Sequence, residues 1–69
     1  MKNGFYTASY QYGETIFVVN LIVEGCSYSI EKTTKNGTVW ASREILGFNE
    51  FLRSLPYWGV KFSDFKEVA

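Results

Sequence analysis

This sequence predicts an α+β fold: an antiparallel β-meander of three to four strands with one amphipathic helix packed on one face. Three observations predict it. Turn dipeptides divide the first forty residues almost evenly, the runs between them alternate apolar and polar side chains, and residues beyond about position 43 take up a helical spacing. The strands fall at about 4–12, 15–24, 26–34 and 38–42 and the helix at about 43–55, and a short irregular or helical segment closes the chain.

The strands come first. Gly13-Glu14 separates Phe5–Tyr12 from Thr15–Val23, and glycine in the leading position suits a type II′ hairpin. Glu24-Gly25 separates that run from Cys26–Thr34, and Asn36-Gly37, the strongest short hairpin signal, leads to Thr38–Ala41. A two-residue loop at Gly13-Glu14 sets Tyr10 against Phe17, Ala8 against Val19 and Tyr6 against Leu21. The same rule at Glu24-Gly25 sets Cys26 against Val23, Tyr28 against Leu21 and Ile30 against Val19. Both hairpins thereby put their apolar residues on one face, and agreement between two independent turns is the mark of a specified register. That core face also takes Val39 and Ala41 if Asn36-Gly37 closes a like turn.

A helix covers it. The Ser42 hydroxyl can cap an orphan amide, and Glu44 suits the positive end of the helix dipole. Ile45, Phe48, Phe51, Leu52 and Leu55 then share one arc of roughly 120° at about 100° per residue, with Arg43, Glu50, Arg53 and Ser54 opposite. Gly47 inside the run costs ~1 kcal/mol relative to Ala, so a second start competes, at Asn49, with Ser42–Leu46 continuing the fourth strand. Pro56 disfavours helical geometry at Leu55 and closes the element in both cases. Tyr57–Phe62 reads as a turn with a short strand, and Ser63 as the cap of a last helical turn from Asp64 to Val68.

Length and composition bound the rest. With 69 residues the chain makes one domain. A chain of this size buries only about 60% of its unfolded surface, so the core is thin. One cysteine and no histidine leave neither a disulfide nor a histidine-based metal site to reinforce it, whereas six Phe, five Tyr and two Trp can. Seven basic and seven acidic residues balance, which speaks against a nucleic-acid binder that works by neutralising phosphates. The N-terminal Met1–Gly4 runs straight into a strand without an apolar leader segment, and the longest apolar stretch, Ile16–Val23, is too short for a bilayer. A cytoplasmic protein without a membrane segment is the expectation.

Catalytic constellations are missing. Acid–base chemistry near neutral pH favours histidine, and no carboxylate pair falls where the predicted fold would bring it into a cleft. Cys26, at a strand start on the core face, reads as a small buried hydrophobe without a cationic neighbour to activate it. The glycines are single and scattered, so no phosphate-cradling loop is formed, and no spacing suggests a metal site or a cofactor. The expectation is a protein that is not an enzyme.

Binding surfaces offer more. On the reverse face of the sheet Ile16, Val18 and Ile22 form a ridge, and Trp40 lands beside it, opposite Thr33. Contiguous exposed apolar patches usually mean contact, and Trp is strongly enriched at interface hot spots. The ridge is covered either by the C-terminal segment, with Trp58, Val60, Phe62 and Phe65 folding back, or by a partner, or by a second copy. A second candidate is the loop Pro56–Gly59, where Tyr57 and Trp58 form an exposed anchor or plug the end of the core. Glu31, Lys32, Lys35 and Arg53 would tune encounter from the rim.

A small, neutral, aromatic-rich chain without chemistry has a profile shared by inhibitors and adaptors of phages and other mobile elements, anti-CRISPR proteins among them. The expectation is a protein-binding module that occludes the surface of a larger protein, through the reverse face or a strand edge. A homodimer or larger structural oligomer is the alternative. Single-stranded nucleic acid stacking on Tyr6, Tyr10 and Tyr12 beside Lys2 comes third, since the register turns those rings toward the helix.

Overall fold

Five antiparallel strands and one helix make up the protein in a computed structural model that describes residues 1–68. The strands are β1 (Gly4–Tyr12), β2 (Thr15–Glu24), β3 (Ser27–Thr34), β4 (Val39–Leu46) and β5 (Lys66–Glu67). Helix α1 spans Phe48–Trp58, and a 3₁₀ turn at Phe62–Asp64 precedes β5. The sheet order is β4-β3-β2-β1-β5, so the four-stranded meander is as expected and a short fifth strand is added to its β1 edge.

The first hairpin adopts the predicted register, with Tyr12 opposite Thr15, Tyr10 opposite Phe17 and Ala8 opposite Val19. The second differs by two residues. Val23 faces Tyr28 and Leu21 faces Ile30, so the loop is Gly25-Cys26, not Glu24-Gly25. The reason lies at Gly25, whose φ is +62°. A type II′ turn needs that angle at its first loop residue, the place Gly13 takes in the first hairpin. Cys26 therefore sits in the turn and is exposed, which corrects its expected burial on the core face.

The third hairpin is irregular in two places. Gly37 N–H donates to Thr34 O, and Thr34 N–H donates to Thr38 O, both at 2.9 Å, closing a three-residue loop. Thr33 then faces Val39, yet Lys32 faces Ala41, so Trp40 is the extra residue of a β-bulge. The long loop and the bulge cancel. From Ala41 onward the strand follows the predicted register, and it runs to Leu46 instead of stopping near position 42.

Gly47 ends β4 and begins α1. Its N–H donates to Cys26 O at 2.8 Å as the last rung of the ladder, and its carbonyl accepts from Phe51 N–H at 3.0 Å as the first helical bond. The corner requires φ +93°, which a residue with a β-carbon rarely adopts. Ser42 is accordingly a strand residue and not a helix cap, and the later of the two predicted starts is the nearer one. At the other end the helix passes through Pro56 to Trp58, where Gly59 caps it in the left-handed region and donates to Leu55 O and Pro56 O. Pro56 costs the helix one hydrogen bond, but it faces solvent while Leu55 and Trp58 are buried on either side of it.

The core lies between α1 and the sheet face bearing Tyr6, Ala8, Val19, Leu21, Tyr28 and Ile30. Phe51 is fully buried and stacks on Tyr28, with centroids 4.6 Å apart and planes 11° from parallel. Leu55, Trp58 and Val60 complete it. The Trp58 indole N–H has no acceptor among the described residues. The chain after the helix returns along the same layer: Phe62 meets Phe48 and Phe65 meets Phe51 at centroid distances of 5.8 and 6.1 Å. It then pairs with β1, Glu67 facing Tyr6 and Lys66 facing Thr7. Ser63 lies within the 3₁₀ turn, and the predicted last helical turn is replaced by this strand.

Candidate functional site

The bulge decides where Trp40 points. An extra residue reverses side-chain alternation locally, so Val39 takes the reverse-face position opposite Thr33 that the sequence assigned to Trp40. Trp40 turns to the helix-bearing face and meets the buried Phe17 edge-on, with centroids 4.9 Å apart and planes at 83°. Tyr10 lies on the other side of Phe17 at 5.4 Å, and the Lys32 ammonium stands 4.7 Å from the Phe17 centroid and 5.3 Å from that of Tyr10. Three rings and one cation thus form a row across the turn end of the sheet. Phe17 is enclosed by it, whereas Trp40 stays 63% exposed.

Helix α1 leaves that corner open. It crosses from β3, where Phe51 stacks on Tyr28, to β1, where Gly59 abuts Tyr10. Lys32, Trp40, Ala41 and Arg43 lie outside its cover, on the same face and toward the β4 edge. Between β4 and α1 runs an open groove of about 400 Å³, lined by Arg43, Glu44, Ile45, Leu46, Glu50, Arg53 and Ser54. Arg53 pairs with Glu50 at 2.8 Å, whereas Arg43 has no carboxylate in ion-pair range among the described residues. The charged residues of the groove balance, Arg43 and Arg53 against Glu44 and Glu50, and the neighbouring Lys32 brings the corner to one excess positive charge.

The seven residues singled out in the sequence separate into four places. Trp40 and Arg53 flank the helix-side corner. Ile16, Val18 and Ile22 remain on the reverse face, with Trp40 gone from beside them. That face carries neither the helix nor the C-terminal segment, but its apolar residues do not form one ridge. Thr7, Asn20, Glu31 and Ser42 make a polar row across four strands that separates Ile22 and Phe5 from Val18, Ile16 and Val39. Tyr57 is exposed at the helix end and meets Trp58 edge-on at 5.1 Å. Trp58 itself is 1% exposed, a core residue and not a binding anchor.

Sequence reasoning missed Arg43. It was assigned to the polar side of a helix, and it is instead a core-face residue of an edge strand, exposed because the helix does not reach it. A charged residue in the inward alternation of a strand is itself an edge signal.

No three His, Cys, Asp or Glu side chains gather as a metal-holding group among the described residues. No helix there is long and apolar enough to cross a membrane. Comparison with protein-family models, with curated proteins and with solved structures finds no match.

Proposed function

We propose that this protein is a non-catalytic protein-binding module that works by occupying part of the surface of a larger protein. One observation carries the reading: Trp40 is held upright on Phe17 at an open strand edge while most of its surface meets solvent. Large aromatic anchors fixed by their neighbours lose little entropy on binding and dominate interface energies. Lys32 and Arg43 beside it, the latter unpaired among the described residues, would steer a carboxylate of the partner toward it. Size and composition align this reading, by analogy, with cytoplasmic inhibitors of the kind phages carry against host defence enzymes.

The test is recovery of partners from a bacterial lysate with tagged wild-type protein and with Trp40→Ala, each checked for folding by circular dichroism. One stoichiometric protein held by wild type and lost by folded Trp40→Ala supports the module. Retention by both, or capture of nothing but the protein itself, defeats it. A second reading, a homo-oligomer paired through its edges, is favoured by β4, whose eight residues have no strand on their outer side. Mass measured across a dilution series separates the two, since an unchanging monomer removes the oligomer.

A further inference from the structure

We propose that the groove between the outer edge of β4 and helix α1 takes an extended, acidic segment of a partner protein as an added strand of the sheet. This rests on the protein-binding reading and names the kind of partner. The hydrogen-bond pattern supplies the first argument. Gly47 N–H bonds Cys26 O and Thr34 N–H bonds Thr38 O, and bonded pairs alternate along an antiparallel ladder. Ala41, Arg43 and Ile45 therefore direct their backbone groups at β3, and those of Ser42 and Glu44 point away from the sheet. An added strand would satisfy them, as in strand-addition modes of peptide recognition.

Charge supplies the second. A strand seated there places one side chain on the helix side opposite Arg43, a cation without a carboxylate in range among the described residues. It would lie beside Arg53, whose side chain lines the same groove. An aspartate or glutamate at that position would pair with Arg43 itself, and opposite charges directly across a ladder stabilise it.

The third argument weighs against a second copy as occupant. Two copies joined edge to edge about a two-fold axis must pair residues of the same face. Centring the pair on Arg43 sets Arg43 against Arg43, and centring it on Glu44 sets Glu44 against Glu44. Centring it on Ser42 sets the bulged Trp40 against Glu44, where the ladder is already irregular. The first two oppose like charges and the third lacks a regular partner strand, while centring on Ile45 avoids both but confines the pairing to the few residues before the Gly47 corner.

The experiment titrates the ¹⁵N-labelled full chain with a short capped peptide of alternating Thr and Val bearing one central Glu, and with its twin bearing Lys there. Strand addition predicts that the Glu peptide shifts the amide resonances of Ser42 and Glu44 and slows their exchange with solvent. The Lys twin should bind about fivefold more weakly, and Arg43→Glu should invert that order. Equal binding of the twins, or β4 amides unmoved at millimolar Glu peptide, overturns the proposal. So does protection of those amides by raising protein concentration alone, which would assign the edge to a second copy. Displacement of the peptide by an oligodeoxythymidylate overturns it too, in favour of a nucleic-acid surface. If a lysate partner is still captured in a Trp40-dependent way while the peptides fail, only strand addition falls and the protein-binding reading stands.

Discussion

Tyr10 closes over Gly59: a β-carbon at position 59 would lie 2.6 Å from the Tyr10 hydroxyl oxygen and 2.7 Å from the ring carbon that bears it. This contact docks the end of α1 against β1 and couples the helix to the aromatic row of Tyr10, Phe17 and Trp40. Gly59 also has φ +82°, so a side chain there meets two obstacles, one from its own backbone and one from its neighbour.

Gly59→Ala should therefore destabilise by about 2–4 kcal/mol, roughly 1–2 from left-handed backbone and the rest from overpacking. Gly37→Ala is the control, because its φ is +92° but nothing lies within 4 Å of the added carbon. It should lose about 1–2 kcal/mol. Urea denaturation of both, with Gly59→Ala repeated in a Tyr10→Ala background, isolates the contact. A coupling energy below about 0.5 kcal/mol would mean that Tyr10 simply swings aside.

Phe51→Ala should remove most of the stability. The ring is fully buried and stacked on Tyr28, and truncating such a residue costs about 3–5 kcal/mol, comparable to what a domain of this size has to lose. Phe48→Ala, one turn earlier and partly exposed, should cost about 1 kcal/mol. Loss of the cooperative thermal transition in the first variant and its survival in the second is the expected pair of results.

Cys26 tests the second hairpin. In the turn, its thiol should react in native buffer about as fast as in denaturant, and Cys26→Ser should stay within about 0.5 kcal/mol of wild type. A thiol protected by folding would restore the register in which Cys26 faces Val23.

The different fates of Cys26 and Trp40 explain how far the sequence could be read. The predicted second hairpin was displaced by two residues, and because strand side chains repeat every two, Tyr28 and Ile30 kept their face. Hydrophobic alternation cannot detect such a slide. Only the glycine requirement of the turn could, and applying the Gly13 rule to Gly25 would have found it. The bulge at Trp40 is a displacement by one, which exchanges the faces of Val39 and Trp40. Both residues are apolar and both are exposed, so the pattern held no information about which way each points. Ser42–Leu46 was ambiguous for another reason. Ile45 lies on an apolar stripe whether that segment is helix or strand, and it packs on the core beside Tyr28 as a strand residue. Gly47, counted as a weak helical residue, was the punctuation between the two elements.

Trp40→Ala should separate stability from binding. An edge-to-face aromatic pair contributes about 0.5–1.5 kcal/mol beyond area burial. The indole is mostly exposed, so little further burial is lost with it, though Phe17 loses part of its cover. The net loss should be about 1 kcal/mol, a fall of roughly 4–8 °C in Tm for a domain of this size. That leaves a folded protein in which any loss of partner binding reports the anchor itself. A destabilisation above about 3 kcal/mol would instead make Trp40 a structural lid on Phe17. In that case Trp40→Phe is the decisive variant, because it keeps an aromatic edge against Phe17 while shrinking the surface offered to solvent. Restored stability with binding still impaired would return Trp40 to its role as anchor, and restoration of both would leave it none.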